Sequence, residues 1–136
     1  MWRGTVNDRK LSVNLDEALK GRGHGGKVDV RVLINEETVG AKSFSLLVNT
    51  VKAGDTCLSN DEPTGHSHEI EHGLYCLSGR GSMTISGQKY MIEPGTAVFV
   101  PAREMHYVQN ESIEEDLTYI IIYVPAGEEK ALLGDS

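Results

Sequence analysis

Short apolar runs, each closed by a glycine or proline turn, follow one another from Val28 to Pro125. In the first run, Val28, Val30 and Val32 alternate with charged residues, which is the period of a strand with one buried face. Gly87 separates two further runs in the manner of a β-hairpin. Because short strands with frequent turns are typical of sandwiches and barrels, we predict an all-β domain. The first predicted strand begins at residue 28. The other predicted strands cover 44–51, 74–77, 82–86, 88–92, 97–100, 106–109 and 117–124.

The segment before these strands carries helix signals. Asn14 is a good N-cap, Glu17 stands at the third helical position as in a capping box, and Gly21 can end a helix. We therefore predict one short helix over 14–21, followed by a glycine-rich loop. A chain of 136 residues is the length of one domain. The predicted organisation is an N-terminal segment and loop (1–27), a barrel (28–125) and a C-terminal tail (126–136).

The charge balance excludes several partners. Thirteen basic and 20 acidic residues give a net charge of −7, which argues against nucleic acid and against anionic membranes as partners. The apolar run around Ile121 is far too short to span a bilayer, and the first residues show no apolar secretion signal. Cys57 and Cys76 are too few for a disulfide scaffold. We expect a cytoplasmic protein with free thiols.

Four of the five histidines form a pattern that suggests a metal site. His66 and His68 are two residues apart, so on a strand they point to the same face. His72 can reach the same point from the next strand, and His106 from a distant one. Neutral imidazoles are common ligands of zinc, copper, iron and nickel. We predict that the four bind one divalent ion, with Fe, Mn, Cu, Ni and Zn all possible.

Two segments containing these histidines resemble the two sequence motifs of the cupin superfamily. The first reads Gly65-His66-Ser67-His68, then His72, then Gly79 after six further residues. The second reads Gly95, five residues, Pro101-Ala102-Arg103, two residues, His106, three residues and Asn110. The resemblance covers roughly 28–125 and implies a double-stranded β-helix, the cupin or jelly-roll barrel. It also implies a metal ion and a small-molecule substrate inside that barrel.

The sequence departs from the motifs at three places. His72 replaces the usual glutamate, Arg103 replaces a glycine, and Gly65 is one residue from His66 instead of six. Four neutral imidazoles would leave the ion its full charge and make it a stronger Lewis acid than a carboxylate ligand would. An octahedral ion would keep two positions for a substrate, whereas tetrahedral zinc would be closed by four histidines. The sequence leaves both geometries open.

Strand parity suggests which side chains line the substrate pocket. The predicted interior positions near the histidines are apolar, and Arg31 and Arg103 are candidate contacts for an anion. Without an inward Asp, Glu or Lys as a base, elimination and isomerisation lack a proton acceptor. We therefore expect an oxidoreductase of the oxygenase or oxidase type, such as a dioxygenase, acting on a metal-chelating substrate. The predicted apolar positions are Leu74, Cys76, Val108, Ile120 and Ile122.

Two other functions remain open at this point. One is a non-redox metal-dependent lyase, cyclase or isomerase, in which the metal acts as a Lewis acid. The other is a non-enzymatic cupin that binds a metal or a small molecule.

A homodimer is the expected assembly. The resemblance implies it, since cupins commonly pair through the outer strands of the barrel. In addition, the last predicted strand, 117–124, is apolar on both of its alternating faces. Both faces therefore need cover, one from the barrel interior and the other from a partner.

Overall fold

The computed structural model describes residues 10–23, 28–54 and 70–127. Within these ranges the chain forms nine strands and two short helical segments. One is a 3₁₀ helix at Leu15–Glu17, and the other is a single turn of α-helix, α1, at Glu36–Val39. The strands are β1 (Leu19–Gly23), β2 (Val28–Ile34), β3 (Ser45–Val51), β4 (His72–Ser78), β5 (Gly81–Ile85), β6 (Gln88–Ile92), β7 (Ala97–Val100), β8 (His106–Asn110) and β9 (Leu117–Tyr123).

The strands form two antiparallel sheets that enclose one core. The larger sheet has the order β1-β2-β3-β9-β4-β7, and the smaller one has the order β6-β5-β8. Strands distant in the chain are neighbours, because β9 inserts between β3 and β4. The architecture agrees with a double-stranded β-helix, which confirms the predicted fold class. None of the helices in the described ranges has the length and apolar character of a membrane span.

Alternation along each strand builds the core. On β3 every second residue from Ser45 to Val51 is buried, and on β9 the same holds from Leu117 to Tyr123. Apolar side chains of both sheets meet between them. The largest fully buried ones are Tyr119, Leu47, Met83, Ile92 and Leu117.

The N-terminal prediction is only partly correct. Asn14 does cap a helical turn, and Glu17 completes the capping box by accepting a hydrogen bond from the Asn14 backbone N–H at 2.9 Å. The helix nevertheless ends at Glu17, and β1 begins at Leu19 and pairs with β2. Sheet pairing prevails because a helix of two turns is marginal without a packed apolar face. The sheet therefore begins before the predicted boundary at Val28.

The turn between β4 and β5 depends on two glycines. Gly79 has a φ of +87°, and a Cβ there would clash with the backbone carbonyl of Asp116. A Cβ on Gly81 would lie 2.5 Å from the carbonyl oxygen of Gln109. Only glycine allows the backbones to approach so closely, and the absence of a side chain at Gly81 also leaves room for the Leu117 side chain of the other sheet.

Asn110, the last residue of the second motif, joins the two sheets. Its Nδ2 donates to the carbonyl of Val51 at 3.0 Å and to that of Glu115 at 2.8 Å, and its Oδ1 accepts from the backbone of Ser112 at 2.8 Å. Val51 belongs to the large sheet and Asn110 to the small one. The motif asparagine thus serves as a structural link at this end of the barrel.

Candidate metal and substrate site

Two of the four predicted metal ligands meet in the interior of the barrel. His72 is the first residue of β4 in the large sheet, and His106 is the first residue of β8 in the small sheet. Their side chains are buried, and their ring centroids lie 4.9 Å apart with the planes inclined by 57°. The fold therefore brings together two imidazoles that are 34 positions apart in the chain (106 − 72).

His106 is oriented by the backbone beside it. Its Nδ1 lies 3.0 Å from the carbonyl oxygen of Glu104. Because a carbonyl oxygen only accepts hydrogen bonds, this contact assigns the proton to Nδ1 and the lone pair to Nε2. Metal-binding histidines commonly use such a backbone contact to set the tautomer. The buried pair therefore has the chemistry that a metal ligand set needs.

His66 and His68 lie outside the described residues, so the four-ligand set stays a prediction. Among residues 10–23, 28–54 and 70–127, three or more His, Cys, Asp or Glu side chains do not cluster as metal ligands would. Cys57 and the motif residue Gly65 also lie outside these ranges.

One tyrosine of β9 packs beside the histidines and another lies further along the interior, and the sequence reasoning missed both. Tyr123 is buried, and its ring centroid lies 5.3 Å from that of His72, with the planes inclined by 48°. Tyr119 is also buried on the same face of the strand. Phenol hydroxyls can donate and accept protons. The interior therefore contains a candidate acid–base group beside the histidines, of a residue type that the oxygenase prediction did not consider.

The predicted parity of β9 is wrong. Leu117, Tyr119, Ile121 and Tyr123 are buried, whereas Ile120 and Ile122 lie on the outer face. One signal in the sequence pointed the right way. Thr118, the polar residue in this apolar strand, is in phase with the two isoleucines, and its hydroxyl lies 3.1 Å from that of Thr50.

Three other predicted pocket residues lie in the core. Leu74, Cys76 and Val108 are buried on the inner faces of β4 and β8. The Cys76 Sγ lies 3.6 Å from the carbonyl oxygen of Ser78, and burial raises the pKa of this thiol. A raised pKa keeps the thiol protonated and unreactive at neutral pH. Their contact with a substrate stays a prediction.

Neither predicted arginine lies among the inward residues. Arg31 is on the outer face of β2, where its Nε lies 3.1 Å from a carboxylate oxygen of Asp29. The strand alternation explains this, because Val30 and Val32 occupy the inward positions. Arg103 is exposed in the turn between β7 and β8, with a φ of +65°. That left-handed conformation accounts for the glycine that the cupin motif has at this position.

The outer face of the large sheet carries an apolar groove of about 860 Å³. It runs across β4, β7 and β9, and β7 is the edge strand of the sheet. Several of its side chains are strongly exposed, with Phe99 at 60% and Val124 at 55%. Its lining includes Tyr75, Phe99, Ile120, Ile122 and Val124.

Comparison with known proteins decides the family. A sequence model of the cupin domain matches residues 56–123. The chain belongs to the cupin family. The match includes both motifs, with His72 and His106 inside it.

The chain is similar to a curated enzyme over part of its length. L-ectoine synthase from Vibrio cholerae is 30% identical over 86 residues, which is 62% of this chain and 56% of the relative. This cupin thus matches little more than half the length of that enzyme.

Solved structures show the same fold at lower identity. Ectoine synthase from P. lautus superposes with a TM-score of 0.72 at 19% identity, covering 93% of this chain and 86% of that one. The polyketide cyclase RemF from Streptomyces resistomycificus has a TM-score of 0.70 at 21% identity, covering 87% and 80%. KdgF from Halomonas sp. has a TM-score of 0.68 at 16% identity, covering 89% and 98%. At these identities the superpositions support the fold alone.

Proposed function

We propose that this cupin is a metal-dependent enzyme that catalyses a non-redox reaction, namely a ring closure, elimination or isomerisation of a small molecule. The observation that carries the proposal is the buried contact of His72 with His106 beside Tyr123. The names of the relatives, a synthase and a cyclase, point to the same class of chemistry. The oxygenase alternative loses its main argument, because Tyr123 supplies an inward acid–base group beside the histidines in place of the Asp, Glu or Lys that the argument required.

The proposed ligands of the ion are His66, His68, His72 and His106. When bound, a divalent ion would supply Lewis-acid activation of a substrate oxygen. The tautomer of His106 that the Glu104 carbonyl selects presents Nε2 as the donor atom.

Tyr123 is the proposed proton-transfer residue. Its ring packs against that of His72, so its hydroxyl lies in the same buried region as the imidazoles. A phenol donates a proton to an oxygen that becomes basic during the reaction, or accepts one as phenolate. Buried apolar side chains of the same core, Leu74 and Val108 among them, exclude water from this region and strengthen such a transfer.

A mass-balance experiment tests the reaction class. Protein loaded with zinc and, in parallel, with nickel is incubated without oxygen in a small-molecule extract, and substrates and products are followed by mass spectrometry. We expect a product that is isomeric with its substrate or lighter by one water, and no formation of this product by a His106→Ala variant. Tyr123→Phe should slow turnover by about 10²–10⁴-fold with little change in metal content. A product that forms only with oxygen present and contains oxygen-18 from labelled gas would overturn the proposal.

We also propose that two copies of the chain pair through the outer groove. A C2 dimer would place the same apolar groove of each copy against the other and cover Phe99, Ile122 and Val124. Sedimentation should give the mass of two chains at micromolar concentration. Ile122→Arg should shift it to one chain, whereas Ile113→Arg, at a loop residue that is 85% exposed, should leave the dimer intact. A single-chain mass for the unaltered protein would contradict the proposal.

A further inference from the structure

Asn49 is a buried polar side chain whose hydrogen bonding is incomplete. It lies on the inward face of β3 and is 5% exposed, and its Oδ1 is buried without a hydrogen-bond partner among the described residues. The other buried asparagines differ. Asn35 accepts a hydrogen bond from the Thr38 backbone, and Asn110 makes three hydrogen bonds. Because an unsatisfied buried carbonyl destabilises the fold, its presence at Asn49 needs a reason outside stability.

The strands beside Asn49 place a second polar side chain next to it. On β9 its register partner is Tyr119, and on β2 it is Val30. Both partners are buried on the same inward face. Tyr119 in turn pairs with Cys76 on β4. Asn49 and Tyr119 thus form a polar pair in an otherwise apolar part of the interior.

This pair is separated from the histidines by an apolar row. Tyr123 pairs with His72, and four residues of extended strand between Tyr119 and Tyr123 correspond to about 13 Å between their Cα atoms. Midway between Tyr119 and Tyr123, three neighbouring strands place buried apolar side chains in register, namely Leu47, Ile121 and Leu74. The inner face of the large sheet therefore has a polar end, an apolar middle and a second polar pair.

We propose that Asn49 is a ligand-binding residue, whose carboxamide oxygen accepts a hydrogen bond from the far end of the substrate. The proposal rests on the proposed function, which places the reacting end of the substrate at His72 and His106. The ligand class is then a small elongated molecule with an oxygen-bearing head group, an aliphatic middle and a terminal hydroxyl or ammonium group. The apolar row would contact the middle, and Asn49 would select the terminal donor.

Three series of straight-chain carboxylates test this selection. They share the carboxylate and differ in the terminal group, which is methyl, hydroxyl or ammonium, and binding is measured by calorimetry without turnover. We expect the unaltered protein to bind the hydroxyl or ammonium series about tenfold more tightly than the methyl series. Asn49→Leu should abolish that preference and raise the melting temperature. Thr50→Val, on the same strand but on its outer face, should keep the preference.

Several results would overturn the inference. Equal binding of all three series by the unaltered protein would do so, and so would a preference that survives in Asn49→Leu. A lower melting temperature of Asn49→Leu would show that the carboxamide stabilises the fold. If that variant does not fold, Asn49→Thr, which suits a strand and keeps an acceptor oxygen, should retain the hydroxyl preference, and its loss there would refute the idea. A crystal structure with an ordered water on Oδ1 that none of the probes displaces would refute it as well.

The binding test is independent of the reaction class. Oxygen-dependent turnover would contradict the proposed function but would not affect the measured preference for the terminal group. Loss of the preference would remove the role of Asn49 and leave the histidine chemistry in place.

Discussion

The two ends of the barrel interior treat buried polar groups in opposite ways. Around Asn110, one side chain makes three hydrogen bonds, and the glycine turn beside it is packed so tightly that no Cβ fits. Around His72 and His106, imidazole and phenol rings meet in a tilted arrangement, while the unsatisfied oxygen of Asn49 lies between the two ends, two residues from Val51 on β3. The contacts of the first end stabilise the fold, while the second end holds the groups that we propose for metal and substrate binding.

The largest expected effect is at the closed end. Gly79→Ala should lower the free energy of unfolding by about 3 kcal/mol or more, because the new methyl meets the Asp116 backbone and the φ of +87° is unfavourable. Gly95→Ala is the matched control. Its φ is +94°, but open space surrounds it, so only the backbone cost of about 1–2 kcal/mol applies. Equal losses in urea titrations of the two variants would show that the tight contact is unimportant.

The next effect compares two asparagines of equal burial. Asn110→Leu should destabilise the fold by about 2–4 kcal/mol, since the carbonyls of Val51 and Glu115 would lose their donor. Asn49→Leu should act in the opposite direction. Thermal unfolding of both variants gives the answer, and a loss at both positions would erase the difference between the two asparagines.

Metal addition should stabilise the folded protein, and this gain should depend on the histidines. Divalent metal at a hundredfold excess over its dissociation constant should raise the free energy of unfolding by about 2.7 kcal/mol, because the ion binds the folded state. A chelator should reverse the gain. His72→Ala and His106→Ala should fold without metal but lose the metal-dependent rise, whereas Asn110→Leu should keep it. An undiminished rise in both histidine variants would exclude these ligands.

The smallest effect concerns Cys76. Burial raises the pKa of this thiol, so the folded state holds its proton more tightly than the unfolded state does. The contribution of this thiol to the free energy of unfolding is fully present below the pKa that the thiol has in the unfolded chain. It is lost as the pH rises through the pKa of the thiol in the folded protein. In a Cys57→Ser background, alkylation of Cys76 followed by mass spectrometry should be slow at neutral pH and limited by unfolding. Labelling as fast as in denaturant would contradict the burial.

Local signals accounted for most strand positions. The predicted run 44–51 corresponds to β3 at Ser45–Val51, and 88–92 and 97–100 coincide with β6 and β7. Turn residues and alternation act over a few positions, so they are legible in one sequence. The short helix α1 was missed although Asn35 caps it and Gly40 ends it in the left-handed region. Its single turn is too brief for a periodic pattern.

The candidate site was predictable in type and less so in membership. The motifs pointed to His72 and His106, and the fold places them together. The errors in the list of interior residues come from assigning the wrong face of β9 to the interior. Ile120 and Ile122 were assigned to the interior, and Tyr119 and Tyr123 were overlooked, because a strand that is apolar on both faces gives no alternation to set its phase.

The sequence by itself determined most of the strands and turns, the cupin motifs and the histidines that those motifs carry. These properties come from backbone preferences and spacings within about ten residues. Only the tertiary structure decided which face of β9 is inward, that Arg31 faces outward beside Asp29, and that Asn110 links the sheets while Asn49 faces the interior unsatisfied. Those outcomes depend on the register between strands far apart in the chain, such as β3, β4 and β9, and register is set by packing of the whole core.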